Sequence, residues 1–200
     1  MKVTQENRLA ALQLVLDRQE IEQVVRRYCR AIDRCDVELL KWVYHPDGTD
    51  AHGNFEGNAH AFADFIMGEL HETVSYGFHT ITQSIIDVQG DLAAAESTYM
   101  GYHRIPAGWE KICSYFGETY AIAAEVAGTL GQEHEYVCGG RYIDRFERRN
   151  GEWKIAKRVI TNEWRQIGPA LGDMREGKVA AFNLPGTRDR SDPVYRILFE

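Results

Sequence analysis

The sequence has no apolar run near the roughly 20 residues that cross a bilayer as a helix. Its first residues, Met-Lys-Val-Thr-Gln-Glu-Asn-Arg, are polar and carry no signal-peptide core, so a cytoplasmic protein is expected. Its four cysteines, Cys29, Cys35, Cys113 and Cys138, include no Cys-x-x-Cys pair and no zinc spacing. Reduced thiols account for them most simply. Cationic charge is in deficit: 23 Lys and Arg stand against 30 Asp and Glu, a formal net charge of −7. Bulk attraction to nucleic acid or to an anionic membrane is therefore not expected. There is no P-loop, no dinucleotide fingerprint and no Gly-x-Ser-x-Gly. Without an internal repeat or a linker, the chain reads as one domain over residues 1–200.

What is present is periodicity of two kinds. Ile21, Val24, Val25, Tyr28, Ile32 and Cys35 recur at steps of three and four, the apolar stripe of an amphipathic helix. Leu9, Leu12, Val15 and Leu16 form a similar stripe in residues 4–18. Asp36 is placed to cap a short helix through Val43, which Pro46 and Gly48 end, and Asn58 to cap another over 59–72. A loop with one short strand is expected over 47–57. From Gly77 the period becomes two. Residues 78–89 and 92–105 read as strands joined at Gly90-Asp91, where Gly in the first turn position fits a type II′ hairpin. Residues 135–149 and 152–165 read as a second hairpin about Asn150-Gly151, both of whose turn positions need positive φ. Residues 107–130 are ambiguous. Trp109, Ile112, Cys113, Phe116 and Tyr120 suggest a helical insertion, against Gly117 and the β-branched residues after it. Residues 168–200 look like an extended tail. Helices followed by long hairpins make an α+β chain, with the helices closing one end of a curved antiparallel sheet and leaving a pocket inside.

With strictly two-residue turns, one face of the second hairpin carries Tyr142, Phe146, Trp153, Ile155 and Val159. The other carries Ile143, Ala156 and Ile160 with Arg141 and Arg158. Large apolar groups on both faces predict a cover on each, helices on one side and a second copy of the chain on the other. A homodimer or homotrimer is expected.

Two residues on the first helix break the rules of a plain scaffold. Tyr28 brings a hydroxyl into the apolar stripe, where it needs a partner. Asp33 sits near the C-terminus, where a carboxylate meets the negative end of the helix dipole. Rules broken this way often mark functional sites; the alternative is a solvated acid or a pair with Arg30 or Arg26. His79 opens the first long strand, on a face that continues through Ile81, Gln83 and Ile85 and opposite Tyr102. A histidine there is either structural or catalytic. The catalytic reading needs a carboxylate to fix its tautomer and raise its basicity, and Asp33 is the candidate. Arg158 is either ion-paired to an acid on a neighbouring strand or an oxyanion clamp. Tyr102, Arg141, Phe55 and Trp42 are the expected substrate contacts. His45, His52 and His60 match no standard metal spacing, and neither a metal nor an organic cofactor is expected.

The helix with Tyr28-x-x-x-x-Asp33 resembles the SnoaL-like branch of the NTF2-like superfamily. So do Tyr44-His45-Pro46-Asp47-Gly48, the loop Asp50-x-His52-Gly53-x-Phe55-x-Gly57 and the strand from His79 through Ile86-Asp87-Val88. The hairpin with Gly140-Arg141-Tyr142-x-Asp144-x-Phe146 and Trp153-Lys154-Ile155-x-x-Arg158 completes the resemblance. It implies a cone-shaped α+β fold over about residues 10–165. The nearest catalytic types are the bile-acid 7α-dehydratases and hexachlorocyclohexane dehydrochlorinases, with scytalone dehydratase more distant. The dehydratase pattern falls on Tyr28, Asp33, His79 and Arg158, while the dehydrochlorinase has Lys where Tyr28 stands. The implied activity is a cofactor-independent lyase that removes water from a small hydrophobic cyclic or aromatic alcohol. Formaldehyde-releasing lyases of lignin-derived diols, and non-catalytic binding modules, share the same resemblance.

Overall fold

The structure, a computed structural model, describes residues 5–171, 177–181 and 186–197. One continuous helix, α1 (Gln5–Asp33), carries both stripes, because nothing between residues 18 and 19 breaks the helical backbone. Its C-terminal half buries Ile21, Val24, Val25, Tyr28 and Ile32 against the sheet. Nothing among the described residues covers the earlier stripe: Leu9, Leu12, Val15 and Leu16 are all more than half exposed. The short helix α2 (Val37–Trp42) is capped as expected, the Asp36 side chain accepting from the Leu39 N–H. Strands β1 (Tyr44–His52) and β2 (Phe55–Asn58) follow, then α3 (Ala59–Thr73), whose first N–H groups are accepted by Asn58.

The two long hairpins are β3 (Tyr76–Gln89) with β4 (Leu92–Ile105), and β5 (His134–Arg149) with β6 (Glu152–Pro169). At the first turn positive φ falls on Gly90 alone; at the second it falls on both Asn150 and Gly151, as a type I′ turn requires. Residues 107–130 are helical in two pieces, α4 (Trp109–Phe116) and α5 (Glu118–Val126), broken at Gly117 with φ +91. The expected tail begins with the last residues of β6 and continues into two short helices, α6 (Gly177–Ala180) and α7 (Val194–Ile197). Asp36 ties α7 to α2 by accepting from Tyr195 Oη (2.8 Å) and Arg190 (3.0 Å).

The six strands form one curved, open sheet in the order β2-β1-β6-β5-β4-β3. All neighbours are antiparallel except β1 and β6, which run parallel, so the sheet is mixed. Helices cover its concave face and the core lies between, an α+β cone.

The register shifts at several points, at Gly139/Gly140 of β5 and between Tyr44 and Thr49 of β1 among them, and two one-residue bulges decide where the site residues point. In β3 the extra residue is Thr82: Gln83 faces Thr98, but Ile81 faces Tyr99. In β6 it is Ala156: Ile155 faces Phe146, but Lys157 faces Arg145. Since side chains alternate along a strand, one extra residue moves everything beyond it to the other face. His79 therefore faces Gly101 rather than Tyr102, and its concave face continues through Ile81 to Ser84 and Ile86, while Gln83 and Ile85 turn outward. Arg158 joins Tyr142 and Phe146 on the concave face, opposite Asp144, and Val159 moves to the convex side opposite Ile143.

Candidate active site

Asp33 is the last residue of α1, and the helix end abuts the start of β3. Its Oδ1 accepts from His79 Nδ1 at 2.7 Å and its Oδ2 from the His79 backbone N–H at 3.0 Å. Two donors facing one carboxylate offset its misfit with the helix dipole. Neither Arg26 nor Arg30 pairs with it; Arg26 is bonded to Glu22. Because Asp33 takes the proton on Nδ1, His79 offers its Nε2 lone pair elsewhere. The side chains of both residues are nearly buried, at 10% and 8% exposure.

His79 lines a cavity of about 350 Å³. Its polar wall includes Tyr28, His52, His103, Tyr136 and Asn162, and its apolar wall includes Ile32, Phe62, Ile66, Leu70 and Ile160. Gly101 makes room for the imidazole. A Cβ there would lie 3.3 Å from His79 Cδ2, His103 Cε1 and Cys138 Sγ. The rings of His79 and His103 meet edge to face at 5.0 Å. Burial, with His79 beside it, drives His103 well below the usual imidazole range, so it is neutral.

Tyr28 lies across the cavity wall with its hydroxyl buried and unpartnered. Burial first, then the nearby Asp50 carboxyl, pushes it well above the usual phenol range, so it remains a neutral O–H donor. Arg158 sits behind it. The guanidinium is fully buried between the rings of Tyr28 (4.1 Å) and Tyr142 (4.3 Å). Its Nε and Nη2 both donate to Asp144 at 2.7 Å. Asp144 on β5 and Asp50 on β1 flank it in register. The ion pair with a neighbouring strand, one of the two readings of this arginine, is thus what forms, and Arg158 reaches the cavity through Tyr28 rather than directly.

The four expected substrate contacts do not line the cavity. Tyr102 follows Gly101 and so alternates to the convex face, where it bonds Glu135. Arg141 is on the same face, paired with Glu163 and Glu96. Trp42 lies outside, under the cations of Arg27 and Lys154. Phe55 packs on Phe62 and Phe65 at the rim. The groups that do line the wall, His103, Tyr99 and Cys138, occupy concave positions of β4 and β5; the step of two from Gly101 was the signal for His103 and Tyr99. His45 points away and bonds the Glu147 carbonyl. Among the described residues no group of three or more His, Cys, Asp and Glu is arranged to hold a metal ion, and no helix is long and apolar enough to cross a membrane.

Residues 13–159 match the family model of the SnoaL-like domain, and the chain belongs to that family. No curated protein matches it in sequence. Among solved structures it is similar to hexachlorocyclohexane dehydrochlorinase LinA-type3 from Novosphingobium barchaimii LL02, with 15% identity and a TM-score of 0.61 over 82% of this chain and 96% of that one. The Kfla4162 protein from Kribbella flavida gives 18% identity and a TM-score of 0.59 over 76% and 95%. A protein from Novosphingobium aromaticivorans DSM 12444, provisionally described as a scytalone dehydratase, gives 16% and 0.57 over 76% and 87%. At these identities the likeness establishes the NTF2-like fold alone. The neighbours include lyases, and the fold also serves non-catalytic proteins.

Proposed function

We propose that the protein is a cofactor-independent lyase that eliminates water from a small, largely apolar cyclic or aromatic alcohol. The observation that carries this reading is the Asp33–His79 contact of 2.7 Å, with His79 lining a cavity of about 350 Å³. His79 Nε2 removes a proton from a carbon next to an activating carbonyl or phenol. The Asp33 carboxylate holds the ring in the required tautomer and stabilises the imidazolium that forms. Negative charge develops on the activating oxygen, and the unpartnered Tyr28 hydroxyl is the donor available to it. The C–O bond then breaks, a C=C bond forms, and the proton held by His79 leaves with the hydroxyl as water. Arg158 supports this indirectly, by holding Tyr28 against its guanidinium face. A substrate that displaces water from the cavity strengthens each of these contacts.

The test is incubation of the purified protein with a panel of hydroxylated steroids and phenylpropanoid diols, read by mass spectrometry. Water loss by the wild type that disappears in His79→Ala is the expected result. Release of formaldehyde instead would replace elimination with retro-aldol cleavage, and tight binding without turnover would assign the protein to the non-catalytic members of the fold.

A further inference from the structure

His79 is not the only imidazole of the cavity wall with a carboxyl close to it. Asp50 and His52 are two apart on β1 and so share a face. Asp50 is fully buried. Its Oδ2 accepts from the Tyr44 hydroxyl, while its Oδ1 has no partner. The His52 ring is stacked on Phe62 at 5.0 Å, and its Nδ1 is also buried without a partner. These two orphan atoms are 4.0 Å apart. Each left unsatisfied costs about 1–3 kcal/mol, and a closure of about 1 Å would satisfy both. The rest of the His52 side chain, 34% exposed, faces the cavity that holds His79.

We infer that Asp50 and His52 form a second proton-carrying pair in this cavity, through which His52 hydrogen bonds a substrate oxygen. The inference deepens the lyase reading and rests on it for the nature of the substrate. The pair holds two protons in its acid form and one in its basic form; on going between them the carboxyl proton passes to Nδ1 and the Nε2 proton leaves to solvent or to a bound oxygen. With Asp50 protonated, the carboxyl O–H donates to Nδ1 and His52 shows an Nε2–H donor to the cavity. With Asp50 ionised, Nδ1–H donates to the carboxylate and Nε2 becomes an acceptor. His79 differs because Asp33 also accepts the fixed backbone N–H, which keeps it in the carboxylate role. The protonated pair therefore sets a donor into the cavity that His79 lines, where it hydrogen bonds the departing hydroxyl while the proton held by His79 leaves with it.

The surroundings favour such an exchange. Facing Asp50 are Tyr44 on its own strand, Tyr28 from α1, Asp144 from β5 and Arg158 from β6. Burial outweighs the opposing pull of Arg158 and Tyr44 and raises Asp50 to about 6. Burial, Arg158 and then His79 from β3 lower His52 to about 4, so His52 stays neutral in both forms.

The experiment needs no substrate. Long-range ¹H–¹⁵N spectra of histidine-labelled protein are recorded across the acid-to-neutral range, with His52 assigned by its loss in His52→Gln. The expected result is an exchange of the protonated nitrogen of His52 from Nε2 to Nδ1, without formation of imidazolium, centred near pH 6. Tyr44→Phe removes a donor to the carboxylate and should move the midpoint upward, by on the order of one pH unit. Asp50→Asn should abolish the exchange. A single His52 tautomer throughout, or a midpoint that Tyr44→Phe leaves in place, overturns the pair. A normal exchange in a protein that turns over none of the panel refutes the lyase reading and leaves the pair standing.

Discussion

Asp33→Asn is the substitution that most sharply separates a catalytic dyad from a structural pair. The wild-type carboxylate accepts twice, from the His79 Nδ1–H and from the His79 backbone N–H. An asparagine side chain has one acceptor and one NH2. The backbone N–H is a fixed donor and takes the acceptor, so the NH2 faces Nδ1 and forces it to be unprotonated. The proton then moves to Nε2, and the base is lost although every heavy atom stays in place. General-base catalysis contributes about 10²–10⁴-fold, or roughly 3–5 kcal/mol of barrier. His79→Ala should cost kcat in that range, Asp33→Asn a similar factor, and the double mutant little more, because the two act as one unit. The assay is kcat and melting temperature on the four proteins, with water loss from whichever panel compound the wild type converts. Losses that multiply in the double mutant, or full activity in His79→Ala with a lowered melting temperature, would refute the argument.

The other predictions concern the shell around the dyad. Gly101→Ala places a Cβ 3.3 Å from the His79, His103 and Cys138 side chains, and should lower kcat roughly tenfold with a destabilisation of about 1–3 kcal/mol, read by kinetics and urea unfolding. Asp144→Ala strands a fully buried guanidinium, which should cost about 3–5 kcal/mol and roughly 6–20 °C of melting temperature; adding Arg158→Met should recover part of it, as calorimetry would show. The folded-state pKa of Asp50 is raised, so its stabilising contribution is full below the unfolded value of 3.8 and is lost as pH rises through about 6. That amounts to on the order of 3 kcal/mol, and urea melts across this window should show the slope vanish in Asp50→Asn. The exposed Leu9, Leu12, Val15 and Leu16 on α1, with Phe78, Ile85, Met100 and Ile143 on the sheet, predict a homo-oligomer; light scattering that gives a monomer at micromolar concentration would refute it.

What the sequence made legible, and what it hid, follows from how far each signal reaches along the chain. The Asn150-Gly151 turn, the Asp36 and Asn58 caps and the stripe through Tyr28 depend on neighbours a few residues away, and each forms as its local chemistry dictates. The Asp33–His79 contact spans 46 residues, yet it was legible because Asp33 is a poor choice for a helix end unless something cationic or N–H-bearing meets it. Register was not legible, because a bulge leaves little trace in composition. Counting back from the Gly90-Asp91 turn reaches Tyr102 opposite His79, and only the extra residue at Thr82 makes it Gly101. Counting from Asn150-Gly151 sends Arg158 to the convex face, and only the extra residue at Ala156 returns it to Asp144. Each shift also answers a packing or pairing need of the residue it moves. A side chain on the residue facing His79 would crowd the His79, His103 and Cys138 side chains, whereas a glycine leaves them room. An arginine on a concave face demands an acid directly across from it, and Asp144 is the residue that a one-step shift supplies. Where a chemical requirement and a turn-derived register disagree by one position, the requirement locates the bulge.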